Sequence, residues 1–214
     1  MSTIVIAGGH GQIALRLARL LSARGDAVRS LIRNPGHEAG VHATGAEAVL
    51  ADMEQLDDLA EFVDGADAVV FAAGAGPGSG PERKRTVDLG AAVKLLDAAR
   101  RTGARRYLMI SAMGAGDPSR GSEAMRPYLQ AKAEADAALA ASDLDWTIVR
   151  PGMLTDDPGT GLIDAAASLG RRGAIPRDDV AAVLVGCLDE PRTVRATFDV
   201  LSGDTPIGEA LAAL

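Results

Sequence analysis

Two spacings in this 214-residue chain could do chemistry. The first is Gly8-Gly9-His10-Gly11-Gln12-Ile13-Ala14, a G-x-x-G-x-x-A pattern that directly follows the apolar run TIVIA. Gly8 permits a tight turn, and Gly11 lacks the side chain that would keep a pyrophosphate off the backbone. Ala14 lets a helix pack close to the preceding strand. An anion held there meets unpaired helix N–H groups and the positive end of the helix dipole. Because the pattern lies between a strand and an amphipathic helix, it reads as a dinucleotide cradle made by Gly8, Gly9, His10, Gly11, Gln12 and Ile13 rather than as a plain turn.

The second spacing is Tyr128-Leu129-Gln130-Ala131-Lys132. On a helix, residues at i and i+4 share a face, about 5–6 Å apart at Cβ. A phenol with a pKa of about 10 is a poor acid or base at neutral pH, and a nearby ammonium stabilises its phenolate. Beside the positive ring of an oxidised nicotinamide, Tyr128 is expected to exchange a proton with a carbonyl or alcohol oxygen while hydride moves at carbon. Lys132 would also hold a ribose. It is one of three lysines in a chain with 19 arginines, which argues against filler.

The type of dinucleotide depends on the end of the second strand, where an acidic residue would hydrogen-bond a free ribose 2′-hydroxyl. The chain reads Leu31-Ile32-Arg33-Asn34 there. Arg33 offers a planar fork of donors to a 2′-phosphate, with no carboxylate expected beside it to repel that group. NADP(H) is therefore the expected cofactor, the other reading being a surface arginine. After the third strand, Asp52 could accept from an adenine amino group while Met53 covers the ring. Asp52 fits equally well as an N-cap for a helix over Glu54 to Val63.

The elements that must position these residues follow from the hydrophobic period. Strands are expected at 3–7, 27–32, 46–51, 66–73, 107–111, 145–150 and 197–201. Helices are expected after the glycine turn, closed by Gly25-Asp26, and at 55–63, 83–102, 123–141 and 178–189, with one more at the end. Strands alternating with helices at this spacing make one α/β domain over 1–214, doubly wound on a mainly parallel sheet of about seven strands. The stretch AAGAGPGSGP (72–81) could be a flexible linker, but it leaves a core strand at the sheet's carboxyl edge and so reads as a pocket wall.

Composition closes off other classes. With 22 Lys+Arg against 29 Asp+Glu, and a net charge of −7, the surface would repel a phosphate backbone, so no nucleic acid partner is expected. The cluster Arg100, Arg101, Arg105 and Arg106 reads as a solvated helix end. A single cysteine, Cys187, excludes an intramolecular disulfide, and there is neither a secretory signal nor a run of about 18 apolar residues. A cytoplasmic protein with no membrane segment is expected. His10 sits inside the glycine turn and reads as shaping that loop, and His37 and His42 have no carboxylate or cysteine partner at ligand spacing, so no metal is expected. Trp146 and Cys187 fall in core patterns.

Taken together, GGHGQIA, LIRNP, the Asp52 position, FAAGAGPGSGP, TVDLGAAVKLLDAA, YLMISAMGAG, YLQAK, WTIVRPG, PRDDVA and TFDVLSGDTPI resemble an atypical short-chain dehydrogenase/reductase over essentially the whole chain. The likeness is to the small NAD(P)-binding group labelled epimerase/dehydratase, related to NmrA-like and flavin- or biliverdin-reductase-like proteins. The resemblance implies a Rossmann fold and NADP bound by Gly8, Gly11 and Arg33, with Ala72, Ala73 and Gly74 along the cofactor. It places Pro151, Gly152 and Leu154 near the nicotinamide. It also implies a tetrad in which Asp88 stands where many relatives have Asn, with Ser111, Tyr128 and Lys132. Relatives commonly read Ser-Ser where this chain has Ser111-Ala112, and because side chains alternate on a strand, Ser111 is expected to point away from the substrate. Asp88 either bonds backbone near a helix bulge or positions a water near Lys132.

After Arg150 only 64 residues remain, too few for a nucleotide-sugar pocket beside the remaining elements. Residues 151–176, with Leu154, Leu162, Ile163 and Leu169, are expected to form a small apolar cover on the substrate side. The expected function is hydride transfer between NADP(H) and a small apolar carbonyl, quinone or flavin. The alternatives are a non-enzymatic NADP(H) redox sensor and the epimerase/dehydratase chemistry of the group's label. Monomer and homodimer both remain open.

Overall fold

The computed structural model describes residues 1–76 and 78–214, with Arg120 described in its backbone alone; Pro77 of the glycine-rich wall lies outside the described residues. The first half of the chain runs β1 (Thr3–Ala7), α1 (Gln12–Arg24), β2 (Ala27–Ile32), α2 (Glu38–His42), β3 (Glu47–Leu50), α3 (Ala60–Val63) and β4 (Ala68–Phe71). A long helical run follows, made of α4 (Pro81–Arg83), a π-helical stretch over Lys84–Ala91 and α5 (Ala92–Thr102). Then come β5 (Arg106–Ile110), α6 (Arg126–Ala140) and β6 (Asp145–Pro151). The remainder comprises β7 (Met153–Thr155), β8 (Leu162–Ala166), β9 (Ala174–Pro176), α7 (Arg177–Asp189), β10 (Ala196–Ser202), β11 (Thr205–Pro206) and α8 (Ile207–Ala212).

The main sheet has nine strands in the order β11-β8-β10-β6-β5-β4-β1-β2-β3. The seven from β10 to β3 are all parallel, matching the sequence expectation. The two further strands are antiparallel additions at one edge. The first, β8, arises in the segment expected to be a cover: Leu162–Ala166 pairs with β10, buries Ile163 completely, and leaves Leu162 exposed, while β11 (Thr205–Pro206) pairs on its outer side. Met153–Thr155 pairs with Ala174–Pro176 in a separate two-stranded sheet. Short alternating stretches such as these carry too few residues for their period to stand out in the sequence.

Side chains alternate across β1, sending Ile4 and Ile6 into a core shared with α1 and α7, and Val5 and Ala7 into one shared with α5 and α6. The order in which successive strands are added switches sides between β1 and β4, which run parallel, and this opens a crevice at the strands' carboxyl ends. The expected helix over 55–63 shrinks to Ala60–Val63, with the Asp58 carboxylate accepting from the Ala60 N–H at 2.8 Å. Asp52 caps a turn instead, accepting from the Glu54 N–H at 3.0 Å, so its N-cap reading fails. The arginine cluster is paired: Arg100 with Asp143, Arg101 with Asp58 and Arg105 with Asp145. Arg106 turns inward to bond Asp145 O, Cys187 O and the Thr147 and Thr193 hydroxyls. Trp146 and Cys187 are buried in the core as expected.

Candidate functional site: a dinucleotide cleft and a buried polar cluster

Gly8 has φ +79°, and a Cβ there would lie 2.6 Å from Ala73 Cα, so the turns after β1 and β4 touch only because residue 8 is glycine. A Cβ on Gly9 would lie 2.5 Å from Ser30 Cβ. Gly11 differs. Its backbone is extended (φ −62°, ψ 152°), its N–H donates to Gly8 O at 2.8 Å, and the nearest atom to an added Cβ is that oxygen, at 3.1 Å. Helix α1 begins at Gln12 with no side-chain cap and no acidic residue in its first turn. Its leading N–H groups are thus available to an anion, with residue 11 bare in front of them. Gln12 accepts from Arg16 at 2.8 Å, and Ile13 is buried beneath the turn.

From this turn a cleft of about 270 Å³ runs past Arg33, Asp52 and Met53 on one side and Ala72, Ala73 and Gly74 on the other. His10 stacks on His37, with ring centroids 3.7 Å apart and planes 9° apart. Burial and the neighbouring His37 both hold the His10 imidazole below its ordinary pKa. An uncapped helix start, a bare glycine and a cleft of this kind fit a dinucleotide.

At the far end of the cleft the sequence expectation needs correcting. A carboxylate does stand beside Arg33: Glu54 Oε2 lies 3.2 Å from Arg33 and 3.1 Å from Arg83, while Glu54 Oε1 accepts from the Thr86 hydroxyl at 2.9 Å. Strands β2 and β3 are neighbours in the sheet, so the turn after β3 comes alongside the residue after β2 despite a separation of 21 positions. Burial pushes the Glu54 carboxyl up, but bonds from Arg83 and Thr86 and both arginine charges outweigh it and hold the group below its ordinary range. Lys94 fixes the backbone of that turn, donating to Met53 O at 2.9 Å, Leu56 O at 2.7 Å and Glu54 O at 3.3 Å.

Tyr128, Lys132 and Asp136 recur every four residues along α6 and share a face. Lys132 is 3% exposed. Its ammonium lies 3.2 Å from Asp88 Oδ1 and donates to Ile110 O at 3.1 Å and Ala73 O at 3.4 Å. Asp88, fully buried in the π-helical stretch, accepts from the Ala75 N–H at 3.2 Å through its other oxygen. Its backbone-bonding reading therefore holds, together with a direct ion pair to Lys132. The expected lowering of the Tyr128 pKa does not occur. Burial first, then the Asp88 and Asp136 carboxylates, raise it well above the ordinary phenol value.

The Ser111 hydroxyl donates to Asp136 Oδ2 at 2.9 Å, and Arg150 reaches the same oxygen at 2.9 Å through Nε and 2.8 Å through its terminal nitrogen. Asp136 Oδ1 has no partner among the described residues. Burial raises the Asp136 carboxyl above its ordinary pKa, against the lowering pull of Ser111 and Arg150. Pro151 accepts from the Met113 N–H, and Leu154 packs on the α1/α7 core. Gly152 is glycine for packing, since a Cβ there would sit 2.5 Å from Gly173 O.

The structure thus gathers the glycine turn, Arg33, Asp52, Met53 and Ala72–Gly74 around one cleft, and Ser111, Tyr128, Lys132 and Asp88 around α6. Pro151, Gly152 and Leu154 lie outside the cleft's walls. Sequence reasoning missed Glu54, Arg83, Lys94, Asp136 and Arg150. Only Asp136 carried a local signal, as the next step of the Tyr128/Lys132 period.

A nine-stranded, doubly wound sheet with a glycine turn and an open cleft at its switch point defines a nucleotide-cofactor-binding domain. The chain belongs to the NAD(P)H-binding family, which matches residues 8–191. It is 42% identical over 213 residues to the uncharacterized sugar epimerase YhfK of Bacillus subtilis, covering 99% of each chain. Among solved structures, a Bacillus halodurans protein provisionally designated an NAD-dependent epimerase/dehydratase superposes with a TM-score of 0.95 at 36% identity, over 100% of both chains. The oxidoreductase ylbE of Lactococcus lactis superposes at 0.88 with 28% identity, over 99% of this chain and 96% of that one. No helix among the described residues is long and apolar enough to cross a membrane.

Proposed function

We propose that the chain is an NADP(H)-dependent oxidoreductase that reduces a small, mainly apolar carbonyl, quinone or flavin. The observation that carries this reading is the uncapped start of α1 opening onto a cleft whose other end holds two arginines. The turn Gly8–Ile13 would hold the pyrophosphate, and Arg33 the 2′-phosphate. Asp52, Met53 and Ala72–Gly74 would flank the adenosine and ribose. Lys132, Pro151, Gly152 and Leu154 would border the nicotinamide, with residues 151–176 covering the substrate side. The bound nicotinamide supplies hydride.

Tyr128 serves best as a proton donor. The neutral phenol carries the proton that a carbonyl oxygen would take up, and its raised pKa disfavours alcohol oxidation by a phenolate. Asp88 balances the buried Lys132 charge and pins the wall at Ala75. The Lactococcus oxidoreductase supports the reaction class, and the sugar-epimerase name of the Bacillus subtilis relative supports the label's alternative. One observation favours the redox-sensor reading: the Ser111 hydroxyl is engaged by Asp136 rather than free for a substrate.

Calorimetric titration with NADPH and NADH, on wild type and Arg33→Ala, tests the cofactor. Tighter NADPH binding that loses its preference in the variant is expected. Oxidation of NADPH by small carbonyls, quinones and flavins, compared between wild type and Tyr128→Phe, tests the reaction. Carbonyl reduction is expected to drop about 100-fold in Tyr128→Phe. Binding without turnover of any of these acceptors would turn the assignment towards the sensor.

A further inference from the structure

We propose that cofactor discrimination is set by a clasp of three residues, in which Glu54 competes with the ribose 2′-phosphate for Arg33 and Arg83. The inference rests on the NADP(H) reading above and adds two residues to it. Arg33 comes from the loop after β2 and Arg83 from the end of α4, and both converge on a single oxygen, Glu54 Oε2. Their side chains are 53% and 37% exposed, and each gives a single hydrogen bond to Glu54, whereas the Glu54 side chain is only 21% exposed and anchored by Thr86. A carboxylate shared by two guanidiniums, each with five donors, occupies an anion position that can accept a larger and more highly charged group.

A phosphate monoester carries about −1.5 to −2 charges and three acceptor oxygens, against one charge and two oxygens for Glu54. It therefore wins the arginines, but it binds beside a displaced carboxylate that repels it. A free 2′-hydroxyl, by contrast, donates to that carboxylate. One residue thus weakens NADPH and strengthens NADH, and the chain accepts both with only a moderate preference for the phosphorylated form. The clasp is not needed to shape the loop, because Lys94 already holds the backbone at Met53, Glu54 and Leu56.

Titration of wild type, Glu54→Gln and Arg83→Ala with NADPH and NADH tests the clasp, with apo-protein melting curves to verify folding. Glu54→Gln is expected to tighten NADPH about tenfold and leave NADH unchanged or weaker. Arg83→Ala is expected to weaken NADPH about tenfold and change NADH by less than about twofold, as for loss of one charge-assisted contact. Adenosine 2′,5′-bisphosphate and adenosine 5′-monophosphate should reproduce the contrast, since they differ only in the 2′-phosphate. If both variants bind the two dinucleotides in the wild-type ratio, the clasp is overturned while the cofactor reading stands. If folded wild type binds neither dinucleotide, the cofactor reading and the clasp fall together.

Discussion

The two halves of the site treat charge in opposite ways. Around the cleft, donors are left open: the α1 start is uncapped, and Arg33 and Arg83 share one carboxylate and keep much of their surface in solvent. Beneath α6, Asp88, Lys132 and Asp136 are 0%, 3% and 4% exposed, and each is paired within the protein. An exposed donor waits for a ligand at little cost because water solvates it. A buried charge left unpaired costs several kcal/mol, so the charges around α6 are already paired before any substrate arrives. Donors therefore stay open around the cleft, whereas the charges around α6 are already paired.

The contrast breaks most visibly if the buried pair is dispensable. Arg150→Met leaves the Asp136 carboxylate buried with only Ser111, and denaturant unfolding at neutral pH is expected to show a loss of about 3–5 kcal/mol. Asp136→Leu combined with Arg150→Met should recover most of it. The pH dependence has a definite sign. The Asp136 pKa is raised in the folded state, so its contribution is full below the unfolded value of 3.8 and declines as pH rises through the folded value. Removing Arg150 raises that folded value further. The variant's deficit should thus be smallest in acid and grow towards neutrality, whereas a deficit independent of pH would show that Arg150 matters only through packing.

On the other side, Gly11→Val tests whether the open cradle is a binding device. The backbone at residue 11 is extended and suits valine, and the branched side chain projects over the uncapped helix start. Thermal unfolding is expected to shift by only a few degrees, while dinucleotide affinity falls about 100-fold, as for loss of more than one charge-assisted hydrogen bond. Undiminished affinity would remove the cradle from the site and erase the comparison.

The same contrast explains what the sequence showed. The cradle is written in consecutive residues, because Gly8, Gly9 and Gly11 act through their own backbone and the turn lies between two elements with clear periods. The seven parallel strands were legible for the same local reason. Glu54 and Arg83 were not, since their meeting with Arg33 depends on sheet order and on where a helix begins 29 residues further on. Arg150 reaches Asp136 only because β6 packs beneath α6, and a lone arginine at a strand end carries no sign of its partner. The π-helical stretch escaped as well, because its residues keep an amphipathic pattern that an α-helix would share. The Tyr128/Lys132 spacing was read correctly as one helix face, yet the expected pKa direction is reversed, first by burial of the phenol and then by Asp88, 40 positions before Tyr128, and by Asp136.

The smallest expected effect is an absence of change. The chain has two tyrosines, Tyr107 and Tyr128. Burial raises the Tyr107 phenol, and burial with Asp88 and Asp136 raises Tyr128. At pH of about 10, where a free phenol is half ionised, the folded protein should therefore show almost no phenolate absorbance in the near ultraviolet. Tyr128→Phe should titrate like wild type over that range. Half-ionisation of one tyrosine near pH 10, lost in Tyr128→Phe, would mean that Lys132 acts on the phenol more strongly than Asp88 and Asp136 together. The α6 cluster would then be poised for a phenolate base and for oxidation of an alcohol. Suppressed ionisation in Asp88→Asn as well as in wild type would assign the shift to burial and Asp136, and a lowered midpoint in that variant would assign it to the carboxylate that pairs with Lys132.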